Sequence, residues 1–321
     1  MANRTWKLFT ALACVSALGA CATKAVESAA EITEIAIPGA GVYPESITSS
    51  ANGDIFIGSA GTGAILRARP GETAASVWLT PGQTGMVSML GVFADDARNR
   101  LLVCARPVRG TTGPEADARS ALKVFALDTG ALVASYPFPG GAAGVCNDIG
   151  VDAHGGAFVT ETVAGKIFRL APGAGALELW SEDARFAGAD GIAVGADGAV
   201  VFNTVTTGKL FRIAVGADGK AGAVTELRPS IAPLDRPDGM RAIAGGRFVQ
   251  AEGGAAGRVT EFSIVGDEAR MRVLGGVPGS ATVTLARGRV WSVDAKLRYL
   301  FDPTLAGQDP GAFSLYSLPL E

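Results

Sequence analysis

Four side chains with oxygen donors stand in a single register of this sequence. Counting back eight residues from Gly53, Gly155, Gly198 and Gly246, each in a tight turn, reaches Glu45, Asn147, Asp190 and Asp238. The same step from Asp96 and Gly288 reaches Ser88 and Ser280. Three carboxylates gathered in one place repel one another and lose hydration, so something cationic must offset them. A donor set of oxygen alone, without His or Cys, selects a hard cation, and a wide, irregular cage favours Ca²⁺ over Mg²⁺. Four protein oxygens leave positions for water and for a substrate oxygen, which is the arrangement of metal-assisted water attack. Any one of these residues alone reads better as a loop cap, since Asp and Asn begin many turns. Their recurrence in one register points to a site. The chain has a single histidine, His154, so paired-histidine zinc sites are excluded and any Ser-His-Asp triad would depend on it alone.

The elements that must hold these residues are repeated. Gly165-Lys166-Ile167-Phe168-Arg169-Leu170 recurs as Gly208-Lys209-Leu210-Phe211-Arg212-Ile213, with weaker copies at Gly257–Phe262 and Lys296–Phe301. Each copy follows a β-rich run behind a turn dipeptide, as in Ala157-Phe158-Val159 after Gly155-Gly156 or Val200-Val201-Phe202 after Asp197-Gly198. Turn dipeptides between β-branched and aromatic runs are hairpin signals. Six such hairpins without sustained helical periodicity predict an all-β fold, a six-bladed β-propeller of four-stranded sheets over residues 31–321. Glu31–Ile37 would supply an outer strand to the last blade and remove an exposed sheet edge. The innermost strands of a propeller line its channel, so the six register positions would form a ring at one mouth, an axial metal site.

Export and partners follow from the ends and the charges. Arg4 and Lys7 precede an apolar stretch from Leu8 to Ala20, a signal segment over residues 1–20. Leu18-Gly19-Ala20-Cys21 resembles the bacterial lipobox, which makes Cys21 the lipidation site and residues 21–30 an anchor and linker. Ala22 in place of Asp points to the outer membrane, with the chain facing the periplasm. Membrane contact would then run through the lipid anchor only. The net charge of −3, without runs of like charge, gives no basic patch and no nucleic-acid partner, and a monomer is expected. Cys104 and Cys146 sit in apolar strand contexts that favour buried free thiols over a bridge.

Tyr43-Pro44-Glu45-Ser46-Ile47, Asn147-Asp148-Ile149-Gly150-Val151-Asp152, Asp190-Gly191-Ile192-Ala193-Val194 and Pro237-Asp238-Gly239-Met240 resemble signature segments of the SMP-30/gluconolactonase/LRE-like family. The resemblance implies a six-bladed propeller with an axial Ca²⁺ or Zn²⁺ and hydrolysis of lactones. It implies Glu45, Asn147, Asp190 and Asp238 as metal ligands, with Asp238 also the general base. Two departures matter. The family usually has Asn where Asp190 stands, so this ring carries an extra negative charge that tightens cation binding and weakens the ion as an electrophile. Sugar-binding members carry an Arg two residues before the Asn, where this chain has Val145, so a less polar lactone or ester fits at least as well as gluconolactone. The long Gly/Pro-rich loop from Arg106 to Arg119 reads as a lid, with Arg106 and Arg109 facing an anionic substrate group and Ser88 and Ser280 as further substrate contacts. Glu161, Asn203, Glu252 and Asp294 end second strands near the same mouth, while His154 lies in a turn on the opposite face. The alternative to a metal-dependent lactone or ester hydrolase is a non-catalytic, metal-stabilised propeller that binds a ligand or an envelope protein.

Overall fold

The computed structural model describes Met1 and residues 32–106, 120–139, 144–255 and 257–321. The signal segment, the Cys21 lipidation site, the linker and most of the expected lid, Arg109 included, lie outside the described residues.

After a short strand, Glu34–Ile37 (β1), the chain runs as antiparallel meanders. They are Pro44–Ser49, Ile55–Ser59, Ile65–Ala68 and Ser76–Leu79 (β2–β5), then Met89–Asp95, Arg100–Ala105, Ala121–Ala126 and Leu132–Pro137 (β6–β9). Next come Cys146–Val151, Ala157–Glu161, Lys166–Leu170 and Glu178–Glu182 (β10–β13), and Ala189–Val194, Val200–Thr204, Lys209–Val215 and Ala221–Pro229 (β14–β17). Pro237–Ile243, Arg247–Glu252, Arg258–Val265 and Glu268–Gly276 (β18–β21) precede Ser280–Ala286, Arg289–Asp294 and Phe313–Pro319 (β22–β24). β1 pairs with β24 and completes the last sheet, so the chain closes on itself as the sequence suggested. Parallel pairing of β17 with β21 joins two meanders into one eight-stranded sheet. The first strand of each meander packs beside the next, from β2 through β6, β10, β14 and β18 to β22 and back to β2. The result is an all-β, propeller-like fold.

Close approach of these inner strands explains the glycines that follow the ring residues. A Cβ on Gly91 would stand 2.3 Å from the Asn147 carbonyl oxygen, and one on Gly191 would stand 2.1 Å from that of Asp238. Gly191 and Gly239 are therefore strand residues kept small by a neighbouring backbone, not turn glycines. The turn glycines are others: Gly155 and Gly198 hold φ of 89° and 79°, left-handed values that strain any residue with a Cβ. Aromatic side chains fill the space between sheets, as where Phe186, Phe202 and Phe211 meet in one buried cluster.

Two expectations are corrected here. Lys296–Phe301, a weaker copy of the repeat, does not form a strand as the stronger copies do. Arg298–Phe301 forms one helical turn inside a long connection from β23 to β24, and the strand that β23 needs comes later, as Phe313–Pro319. The cysteines are not free thiols either: Cys104 on β7 is bonded to Cys146 on β10. Both side chains are fully buried, and packing of β6 and β7 against β10 brings them within reach. Closing a loop between cysteines 42 positions apart stabilises the fold by about 4 kcal/mol in the chain-entropy account. Reduction under mild denaturant, or a Cys104→Ala/Cys146→Ala double variant, should therefore lower Tm by roughly 5–10 °C. An unchanged melting curve would show that the bridge adds nothing.

Candidate metal centre

Every inner strand carries the same irregularity. Pairing with the second strand slips by one residue just after the first position, between Pro44 and Ser46, Met89 and Val92, Cys146 and Ile149, Ala189 and Ile192, Pro237 and Met240, and Ser280 and Val283. A bulge re-aims the side chain it frees from pairing. The residues in the second position are Glu45, Leu90, Asn147, Asp190, Asp238 and Ala281. Glu45, Asn147, Asp190 and Asp238 line one narrow cavity at the mouth, together with Asp148, Ser46 and Thr282, and with Gly91, Gly239 and Ala281 in its wall.

The two serines do not belong to this ring. Turn length is the reason. The helical turn Asp96–Arg98 lengthens the hairpin after β6, and Arg287-Gly288 shortens the one after β22, so a fixed step back misses the bulge in both. Ser88 precedes β6, where its carbonyl accepts the Arg106 amide at 3.2 Å. The Ser280 hydroxyl is held by Ser292 at 2.6 Å. Leu90 and Ala281 stand where those hydroxyls were expected.

The four polar residues are brought together with unbalanced charge. Asn147 donates through Nδ2 to Thr162 Oγ1 at 2.8 Å and to Asp190 Oδ2 at 3.0 Å. Its own Oδ1 accepts no hydrogen bond among the described residues. Asp190 Oδ1 is buried and likewise lacks a partner. Asp238 Oδ1 accepts the Gly239 amide at 2.9 Å, and the Asp190 and Asp238 carboxyls stand beside one another closely enough for the charge of Asp238 to act on Asp190. Two carboxylates this close need a proton or a cation between them. Burial pushes Glu45, Asp190 and Asp238 well above the usual carboxylate range, and each is pushed further by another carboxylate of the group. Arg106 opposes this at Glu45 from the mouth side, where its guanidinium lies 5.9 Å from the centre of the Phe301 ring.

The donor set suits a hard divalent cation: carboxylate and amide oxygens, two of them without hydrogen-bond partners among the described residues, lining one narrow cavity. Among the described residues, no three acidic, cysteine or histidine side chains converge closely enough to hold a metal ion. Asp190 Oδ2 is engaged by the Asn147 amide, while Asp190 Oδ1 stays free of any hydrogen bond among the described residues.

Second-strand side chains set these positions. Thr160 Oγ1 donates to the Asp190 carbonyl at 2.7 Å, and Asn203 Nδ2 donates to the Asp238 carbonyl at 2.7 Å, so each anchors the next inner strand at its bulge. Glu161 instead caps its own loop, accepting the amides of Val145, Val163 and Ala164. Glu252 accepts the Asp235 amide and pairs with Arg258, and Asp294 pairs with Lys296. His154 is exposed in the turn at the opposite end. Sequence reasoning missed Thr160, and it missed a buried Arg241 paired with Asp148. The second was detectable, since a charged residue inside an otherwise apolar inner strand needs a partner.

No model of a known protein family matches this sequence. No curated protein matches it either. Solved structures do. A luciferin-regenerating enzyme aligns over 88% of this chain and 92% of its own, at a TM-score of 0.65 and 12% identity. A gluconolactonase from Xanthomonas campestris aligns over 87% of each chain, at 0.61 and 18%. Regucalcin from Agrobacterium tumefaciens, a calcium-binding protein, aligns over 89% and 94%, at 0.61 and 16%. This chain has their propeller fold. Its structural neighbours are thus those of the SMP-30/gluconolactonase/LRE-like family that its motifs resemble, and at these identities the likeness is one of fold. On this propeller the wall beside the ring is apolar: Leu90, Val145 and Ala60 are buried together against Tyr43, Leu297 and Leu300.

Proposed function

We propose that this chain is a six-bladed propeller of the SMP-30/gluconolactonase/LRE-like family that holds a divalent cation, Ca²⁺ by preference, and hydrolyses a lactone or related ester. The observation that carries the reading is that three buried or half-buried carboxylates and one amide line a single cavity, with Asp190 Oδ1 lacking a hydrogen-bond partner among the described residues. Glu45, Asn147, Asp190 and Asp238 would hold the ion. When bound it would polarise the carbonyl and favour the developing oxyanion. Asp238 is the least buried of the four and keeps one oxygen free of the backbone, so it is placed to take a proton from the attacking water. Arg106 supplies positive charge at the mouth, and the wall of Leu90, Val145 and Leu300 suits a substrate less polar than a sugar lactone. A panel of aliphatic, aryl and sugar lactones, assayed with and without EDTA, tests this. Turnover abolished by EDTA and restored by Ca²⁺ supports the reading; no turnover on any member by cation-loaded protein defeats it.

One observation favours a second reading, a non-catalytic propeller whose cation is structural. Glu45, Asn147 and Asp190 are only 6%, 7% and 5% exposed, and the cavity they line is too narrow to admit a sugar ring. Pull-down from solubilised envelope separates the two, since a stoichiometric partner retained by Asp238→Ala would indicate a scaffold. The lipidated, periplasm-facing placement is part of the proposal. Cys21→Ser should abolish lipid labelling and release the protein into the soluble periplasmic fraction; unchanged membrane fractionation refutes it.

A further inference from the structure

Three residues beyond Asp238 on β18, Arg241 points into the axis of the propeller. Its side chain is 7% exposed and that of its partner Asp148 is 5% exposed. Nη1 donates to both Asp148 carboxylate oxygens, at 3.1 and 3.0 Å, and to the Met240 carbonyl at 2.6 Å. Nη2 donates to the carbonyls of Ile47 on β2 and Val92 on β6, at 3.1 and 2.9 Å. Asp148, on β10, also accepts the Ile192 amide of β14 at 3.2 Å. The guanidinium lies 5.7 Å from the centre of the Phe93 ring, and its Nε is buried without a partner among the described residues. Inner strands β2, β6, β10 and β18 thus meet on one cation directly, and β14 does so through Asp148.

Beyond its pairing with Asp148, the guanidinium takes backbone carbonyls from three strands. Those carbonyls replace its lost water and fix it in place, since a buried charge is tolerated only when fully hydrogen-bonded. The mouth carboxylates adjoin this pair: Asp148 lines the same cavity as Glu45, Asp190 and Asp238, and Asp238 lies on the same strand as Arg241.

We infer that Arg241 is a fixed axial counter-cation of the carboxylate ring, which holds the inner strands around it and sets how tightly the ring binds a divalent cation. This inference rests on the reading of the ring as a cation site. Asp148 acts in the opposite sense, adding negative charge beside Asn147.

The opposed signs give the test. Ca²⁺ binding is measured by calorimetry at fixed pH and salt for wild type, Arg241→Gln, Asp148→Asn and Arg241→Lys. Removing a buried charge several ångströms from the ion changes affinity by ~10-fold or more. Arg241→Gln should bind Ca²⁺ about tenfold more tightly and Asp148→Asn about tenfold more weakly. Arg241→Lys keeps the charge and loses the fork, so it should bind within about threefold of wild type while melting earlier. A merely structural Arg241 would weaken binding in both charge-removing variants, and that result overturns the inference. If Arg241→Gln does not fold, the Lys variant decides: wild-type affinity supports the inference, and a loss beyond tenfold overturns it. Wild type that binds no Ca²⁺ defeats the cation site itself and this inference with it, whereas a binding wild type with same-signed variants defeats the inference alone.

Discussion

Replacing Asp238 by Asn should lower lactone hydrolysis by ~10²–10⁴-fold, while Asp190→Asn should stay within about tenfold of wild type, because only the first removes a general base. Both substitutions leave a neutral oxygen ligand in the ring, so both should still bind cation by calorimetry. The structure gives each a way to fold. An Asn at 190 can turn its oxygen toward the Asn147 amide, now 3.0 Å from Asp190 Oδ2, and its nitrogen toward Asp238. An Asn at 238 can keep the oxygen that accepts the Gly239 amide. Asp190→Asn also removes one of two adjoining carboxylates, which leaves the ion less neutralised and a stronger electrophile. Equal loss in both variants would mean that ring charge, not a specific base, carries the chemistry. The reverse order would make Asp190 the base.

Stripped of divalent cation, the protein should become less stable as pH rises from about 5 to 8, and Ca²⁺ should restore more stability at pH 8 than at pH 5. The sign follows from the ring. Glu45, Asp190 and Asp238 have folded-state values raised well above the ordinary range, chiefly by burial and then by one another. The folded, cation-free state therefore holds protons that the unfolded chain releases above about pH 4. Stability present below that point is lost as pH climbs through the raised values. A divalent ion replaces those protons, and at a hundredfold excess over Kd it contributes about 2.7 kcal/mol. Exposed carboxylates with lowered values, such as Asp183 at about 2 beside Arg185, titrate below this window and do not disturb it. Melting curves in EDTA and in Ca²⁺ across the range check the expectation. A chelated protein that gains stability toward pH 8, or a calcium shift equal at both ends, contradicts it.

Much of this architecture was legible because the same physical constraint recurs in each sheet. Hydrophobic runs behind Gly155-Gly156 and Asp197-Gly198 had to be hairpins, and Glu45, Asn147, Asp190 and Asp238 shared a register because their four turns have equal length. Where turn length changed, the register failed. Asp96–Arg98 and Arg287-Gly288 displaced Ser88 and Ser280 from the bulges, and only strand pairing shows that Leu90 and Ala281 take their place. Lys296–Phe301 kept the spacing of the repeat but became a helical turn, because the strand beside β23 is supplied from Phe313 onward. The Cys104–Cys146 bridge could not be read from two apolar contexts, since it depends on which sheets are neighbours. Arg241 and Asp148 stood in plain view as charges in apolar strands, but their partnership spans 93 residues of chain and is visible only in three dimensions.

The claim beneath all of this is that Glu45, Asn147, Asp190 and Asp238 hold one divalent cation. Crystals grown with Tb³⁺ or Mn²⁺ in place of Ca²⁺, recorded near the absorption edge of the metal, test it directly through an anomalous difference map. A single strong peak is expected among those four side chains, within coordinating distance of Asp190 Oδ1 and lost in the Asp190→Ala variant. A mouth without a peak at saturating metal would contradict it.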